Sequence, residues 1–77
     1  MYQVYAIKSR SRNYIYVGLT SNLQERLSRH NSGTNKTTSP YAPFDVIFVE
    51  ECPDRKAARK LEKYLKSGVG KEFLKSL

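Results

Sequence analysis

The sequence predicts a small α+β fold, a three-stranded and mainly antiparallel sheet flanked by helices, and three observations carry that expectation. Three short runs, at residues 2–7, 14–19 and 44–50, are rich in β-branched and aromatic side chains, as strands are. The first two are separated by a polar segment of hairpin length, which makes them antiparallel neighbours. Stretches with helix-start and helix-stop residues follow the second and third runs, giving the order β-β-α-β-α with a short C-terminal helix. At 77 residues the expected organisation is one domain over 1–77 with a modest core. A chain of about 60 residues buries only about 60% of its unfolded surface.

The first strand reads Tyr-Gln-Val-Tyr-Ala-Ile and the second Tyr-Ile-Tyr-Val-Gly-Leu, joined by the polar residues 9–12. Closing that loop with Lys8 opposite Asn13 sets Tyr5 against Tyr16, Ile7 against Tyr14 and Gln3 against Gly18. Side chains alternate with period two, so Tyr5 and Tyr16 then project side by side from one face. Ser21 and Asn22 are N-cap candidates for a helix over 22–31. Leu23 and Leu27 form its apolar stripe, and Arg26 and His30 lie four apart on a shared flank. Asn31 and Gly33 end it, and residues 32–43 form a long polar loop. The third strand is apolar on both faces, which predicts the central place in the sheet. Pro53 and Asp54 start a second helix running to about Ser67, where Gly68 stops it; its apolar face is Ala57, Ala58, Leu61, Tyr64 and Leu65. Residues 71–77 form one or two more helical turns, with Phe73, Leu74 and Leu77 packing back.

Charge narrows the function. Fourteen Lys and Arg against seven Asp and Glu leave a net +7, which points to a polyanionic partner. Residues 1–40 hold six bases and one acid, whereas residues 41–77 hold eight bases and six acids. One cysteine and one histidine exclude an internal disulfide and a structural zinc site, and the lone Cys52 suits a reducing, cytoplasmic setting. No apolar run approaches the roughly 18–20 residues of a membrane span.

Several linked motifs resemble the GIY-YIG nuclease family over about residues 2–75. Gln3-Val4-Tyr5 and Tyr16-Val17-Gly18 stand where the family has its two tripeptides. Thr20, Leu23, Arg26, His30, Asn31 and Gly33 match the family's first helix at the right spacings. A strand ending at Glu50 follows, and then Ala58, Glu62 and Lys66 at four-residue intervals. Gln3 and Val17 replace a glycine and an isoleucine, and the asparagine that many members carry beyond the glutamate is missing. The pattern is similar to the catalytic domain of GIY-YIG endonucleases and to the N-terminal domain of the excision-repair nuclease.

The resemblance implies metal-dependent hydrolysis of a nucleic-acid phosphodiester, with Tyr5, Tyr16, Arg26, His30 and Glu62 in the active site. Each residue also suits a task that the chemistry demands. Arg26 has a permanently charged fork matched to phosphate, and Glu62 can anchor Mg²⁺ (or Mn²⁺), a hard ion that needs one or two carboxylates beside water. Tyr5 or Tyr16 would accept a proton from the attacking water or orient it; the resemblance favours Tyr5. His30 would orient or shuttle protons. Arg10, Arg12, Gly18, Arg29, Lys36 and Lys66 are the expected contacts to the nucleic acid, DNA in the first instance. Taken singly these residues have ordinary roles: strand tyrosines pack cores, and Glu62 with Lys66 forms a favourable i→i+4 pair. So small a chain leaves little room for target choice, so sequence preference should be weak unless a separate specificity subunit supplies it; a homodimer is the other expected partner, since one active site hydrolyses one strand and a double-strand break needs two cuts. The competing expectation is a nucleic-acid-binding module of the same fold with little catalysis.

Overall fold

The computed structural model describes residues 1–34 and 36–77. Three strands, β1 (Tyr2–Ser9), β2 (Ile15–Thr20) and β3 (Phe44–Cys52), form one antiparallel sheet in the order β2-β1-β3. Three helices, α1 (Leu23–Ser32), α2 (Arg55–Lys66) and α3 (Gly68–Lys75), and a 3-10 turn, Ser39–Tyr41, complete the fold. The expected class and element order hold.

Helix ends follow local chemistry. Asn22 caps α1 by accepting from the Glu25 amide, and Gly33 closes it in the left-handed region at φ 78°. Asp54 caps α2 through the Ala57 amide. Ser67 caps α3 through the Gly70 amide, so Gly68 opens a helix where the sequence pattern predicts only a stop. Among the described residues no helix is long and apolar enough to cross a membrane.

Two expectations for the sheet are corrected. The central strand is β1, not β3: Val4, Tyr5, Ala6 and Ile7 are all 0% exposed, whereas Val46 and Val49 of β3 are 44% and 42% exposed. The apolar character of β3 on both faces has another cause. Ala6 pairs with Phe48 but Ile7 with Val46, so a bulge inserts one residue into β3 and reverses its alternation. Phe44 and Phe48 thereby reach opposite faces of an edge strand.

The hairpin register is also two residues from the expected one. Tyr5 pairs with Gly18 and Ile7 with Tyr16. Ser9 extends the first strand, its amide donating to the Tyr14 carbonyl, and its hydroxyl accepts from the Ser11 and Arg12 amides. An even shift preserves the face of every side chain, so Tyr5 and Tyr16 still project together, now diagonally.

The sheet has a core on each side. On one face Val4, Ala6, Val17 and Cys52 meet Ala58 and Leu65 of α2 and Leu74 of α3. Phe73 lies edge-on to Phe48, but Tyr64, Phe73 and Leu77 are largely exposed, at odds with their expected burial. On the other face Tyr5, Ile7 and Phe44 are covered by Tyr14, Tyr16, Leu23, Leu27 and Tyr41. Of the candidate catalytic side chains, Tyr5, Tyr16 and His30 lie together on this second, aromatic face, whereas Glu62 is carried by α2, which covers the first.

Candidate active site

Tyr5 sits in the middle of the central strand, and His30 reaches it from the last turn of α1. The Tyr5 hydroxyl lies 2.9 Å from His30 Nε2, and both residues are 0% exposed. His30 Nδ1 lies 2.8 Å from the Thr38 hydroxyl, which is also fully buried. Burial, then the charge-sensitive neighbour Tyr16, pushes the Tyr5 hydroxyl well above its usual range, partly opposed by Arg26. Tyr5 therefore keeps its proton, and among the described residues His30 is the sole hydrogen-bond partner of that hydroxyl. On that assignment Nε2 accepts from Tyr5 and Nδ1–H donates to Thr38. Thr38 is invisible to motif reasoning. The signal available was chemical: a buried imidazole needs a partner on each nitrogen.

Tyr16 packs on this pair, its ring centroid 4.9 Å from His30 and 6.3 Å from Tyr5, and it is half-buried rather than sealed. Gly18 explains how the rings fit. A Cβ there would stand 2.7 Å from the Tyr5 hydroxyl and 3.0 Å from Tyr16 Cε1. Gly18 is buried in a regular stretch of ladder opposite Tyr5, so its missing side chain makes room for these two rings.

Arg26, four residues before His30, is half-buried, and among the described residues it has no carboxylate within 4.0 Å. Its charge, with that of Glu62, bears on the Tyr5 hydroxyl, and it also holds the His30 pKa down. The Glu62 side chain, on α2, is only 12% exposed. Its oxygens are 3.3 Å from Lys66 Nζ and 3.8 Å from an Arg59 nitrogen. A metal has a limited foothold here: among the described residues no three His, Cys, Asp or Glu side chains cluster to form a cage. One partly buried carboxylate held by loose ion pairs fits a hydrated Mg²⁺ that completes its shell with water and a substrate phosphate.

The outlying basic residues are less free than their count suggests. Arg10 donates to Asp45 of β3 at 2.7 and 2.9 Å, and Arg29 pairs with Glu25 at 2.8 Å. Both pairs are exposed and exchangeable. Arg12 stands 5.8 Å over the Tyr41 ring, which stacks on Tyr14 at 4.0 Å; Lys36 is exposed. The structure thus brings Tyr5, Tyr16 and His30 into contact, with the charges of Arg26 and of Glu62, the latter paired with Lys66, felt at the Tyr5 hydroxyl; Arg10, Arg12 and Arg29 are engaged elsewhere and Lys36 is exposed.

The buried imidazole has a consequence for stability. Desolvation, and secondarily Arg26, lowers its folded pKa below the usual 6.5 of the unfolded chain. Between those values the unfolded chain binds the extra proton, so stability is complete above about pH 6.5 and falls as pH drops through the lower value. Thermal melts between about pH 8 and about pH 5 should show a decline that a His30→Asn variant lacks. Equal slopes for the two proteins would assign the acid sensitivity elsewhere.

Comparison with known proteins identifies the family. The GIY-YIG catalytic domain matches residues 1–74. The chain is 31% identical over 67 residues to UPF0213 protein CPE1444 of Clostridium perfringens, covering 86% of this chain and 71% of that protein. It is 33% identical over 64 residues to UPF0213 protein OB0043 of Oceanobacillus iheyensis, covering 82% and 73%. The solution NMR structure of UPF0213 protein BH0048 from Bacillus halodurans superimposes with a TM-score of 0.58 at 29% identity, over 99% of this chain and 84% of that one. A match over nearly the whole chain shows that the protein belongs to the GIY-YIG nuclease family.

Proposed function

We propose that residues 1–77 act as one endonuclease domain that hydrolyses phosphodiester bonds of nucleic acid, DNA in the first instance, with Mg²⁺ or Mn²⁺ and little sequence preference. The observation that carries this is Arg26: a half-buried guanidinium without a carboxylate partner among the described residues, whose charge, like that of Glu62, reaches the Tyr5 hydroxyl. Partly buried charges are normally paired, so such a group is matched by an anion brought from outside.

In this reading Arg26 takes the non-bridging oxygens of the scissile phosphate and meets the charge that builds there during attack. Exposure favours Tyr16 over Tyr5 for contact with the attacking water, since Tyr5 is sealed and holds its proton. Tyr16 orients the water; Tyr5, His30 and Thr38 form the buried brace that fixes the Tyr16 ring. Glu62 would hold the metal, which when bound supplies charge neutralisation at the phosphate and the leaving oxygen. Lys66 keeps that carboxylate oriented.

Incubating supercoiled plasmid and single-stranded oligonucleotides with purified protein tests the reading. Nicking that needs Mg²⁺ or Mn²⁺ and disappears in Glu62→Ala is the expected result. Wild-type protein that binds these substrates and leaves them intact with either ion supports the binding-module alternative instead.

A further inference from the structure

Beside the catalytic face lies a cavity of about 310 Å³ lined by Tyr14, Ile15, Tyr16 and Val17 of the second strand's edge and by Lys66 and Lys71. We propose that this cavity is a nucleotide subsite: Lys66 and Lys71 grip the strand phosphate next to the scissile one, and Tyr14 and Tyr16 support its sugar and base. The inference rests on the nuclease reading and adds Lys71 as a substrate-binding residue.

Four observations support it. First, the pocket shares its walls with the catalytic group, since Tyr16 packs on His30 and Lys66 bonds Glu62 at 3.3 Å. A ligand here is therefore a neighbour of anything bound at Tyr16 and Glu62. Second, two lysines line one cavity, and Lys71 has no carboxylate within 4.0 Å among the described residues. Third, the fold holds Lys71 in position. It lies in the first turn of α3, and Gly70 lets that turn press on the end of α2, where a Cβ would overlap the Tyr64 carbonyl and the Leu65 backbone. Fourth, size and chemistry suit one nucleotide: the volume lies at the low end of the roughly 300–1,000 Å³ of small-molecule sites, with aromatic rings beside cations. A larger hollow of about 380 Å³, walled by Gln3, Asn22, Leu23 and Leu27 among others, has no charged side chain in its lining and offers nothing to a phosphate.

The test compares Lys71→Ala with Lys60→Ala, an exposed α2 lysine outside the pocket. Anisotropy of a labelled single-stranded oligonucleotide, in metal-free buffer across a salt series, gives affinity and salt slope. Lys71→Ala should weaken binding severalfold and reduce the slope of log K against log salt by about 0.7, one phosphate's share on a single strand, in excess of any change in Lys60→Ala. In the cleavage reaction, one neutral methylphosphonate linkage beside the cut should slow the wild type and have no further effect in Lys71→Ala. Inorganic phosphate at constant ionic strength should not displace the oligonucleotide; displacement that Lys71→Ala abolishes would make this a free-phosphate site and overturn the proposal.

The two readings fail separately. Wild type that cleaves, with Lys71→Ala and Lys60→Ala alike in slope, removes the subsite and keeps the nuclease. Wild type that shows the slope difference and cleaves nothing removes the nuclease and keeps the subsite. Absence of any oligonucleotide affinity sinks both.

Discussion

Replacing Arg26 by alanine lowers the single-turnover cleavage rate by about 10²- to 10³-fold, the cost of removing one preorganised donor to developing transition-state charge. Ground-state binding to an oligonucleotide changes far less, because Arg26 is one cation among several that meet the backbone. The split follows from its setting. It is half-buried on the flank of α1 and is not tied to an acid among the described residues, so its charge is not spent within the protein. Arg26→Lys keeps the charge and loses the planar fork, and should recover only a small part of the rate. A second readout isolates the electrostatics. Arg26 is one of the two causes that depress the His30 pKa, so Arg26→Ala should raise that pKa in an NMR titration of the imidazole. Equal losses in binding and in rate, with an unmoved His30 titration, would show that Arg26 is merely a surface cation.

What the sequence made legible was what short-range chemistry decides. Asn22, Gly33 and Asp54 end their helices through contacts within a few residues of themselves, and each was readable in place. The hairpin register was not, because distant contacts help set it. The Ser9 hydroxyl donates to the Tyr41 carbonyl and the Arg10 amide to that of Pro43, both more than thirty residues away. The pairing of Tyr5 with Tyr16 on one face was legible nonetheless, since only an odd slip would have separated them. The place of β3 was hidden by its bulge, which imitates the two-faced pattern of a central strand. At the site, the spacing of Arg26 and His30 on one helix showed their shared flank. Thr38 had no pattern to announce it, and the pairing of Arg10 with Asp45 joins positions that only the folded sheet brings together.

Gly18→Ala destabilises the fold by about 1–3 kcal/mol, the usual cost of overpacking a filled core. The conformation of Gly18 is not the reason, because its φ is not positive. The added Cβ would meet the Tyr5 hydroxyl at 2.7 Å and Tyr5 Cζ at 2.9 Å. A flexible side chain could yield, but Tyr5 is a rigid ring at 0% exposure with its hydroxyl held by His30. Relief therefore means shifting β2 or breaking the Tyr5–His30 bond. Tyr5→Phe separately removes the nearest clashing atom and leaves His30 Nε2 buried without its partner, a loss of about 1–3 kcal/mol. Combining the substitutions should cost less than their sum, by about 0.5 kcal/mol or more, because the one oxygen that opposes the new methyl is the oxygen that Tyr5→Phe deletes. Urea denaturation followed by circular dichroism measures all four proteins of the cycle. Strict additivity would mean that Gly18 and the Tyr5 hydroxyl do not share a space. Coupling would tie the glycine of the second tripeptide to the tyrosine of the first through packing alone, before any nucleic acid arrives.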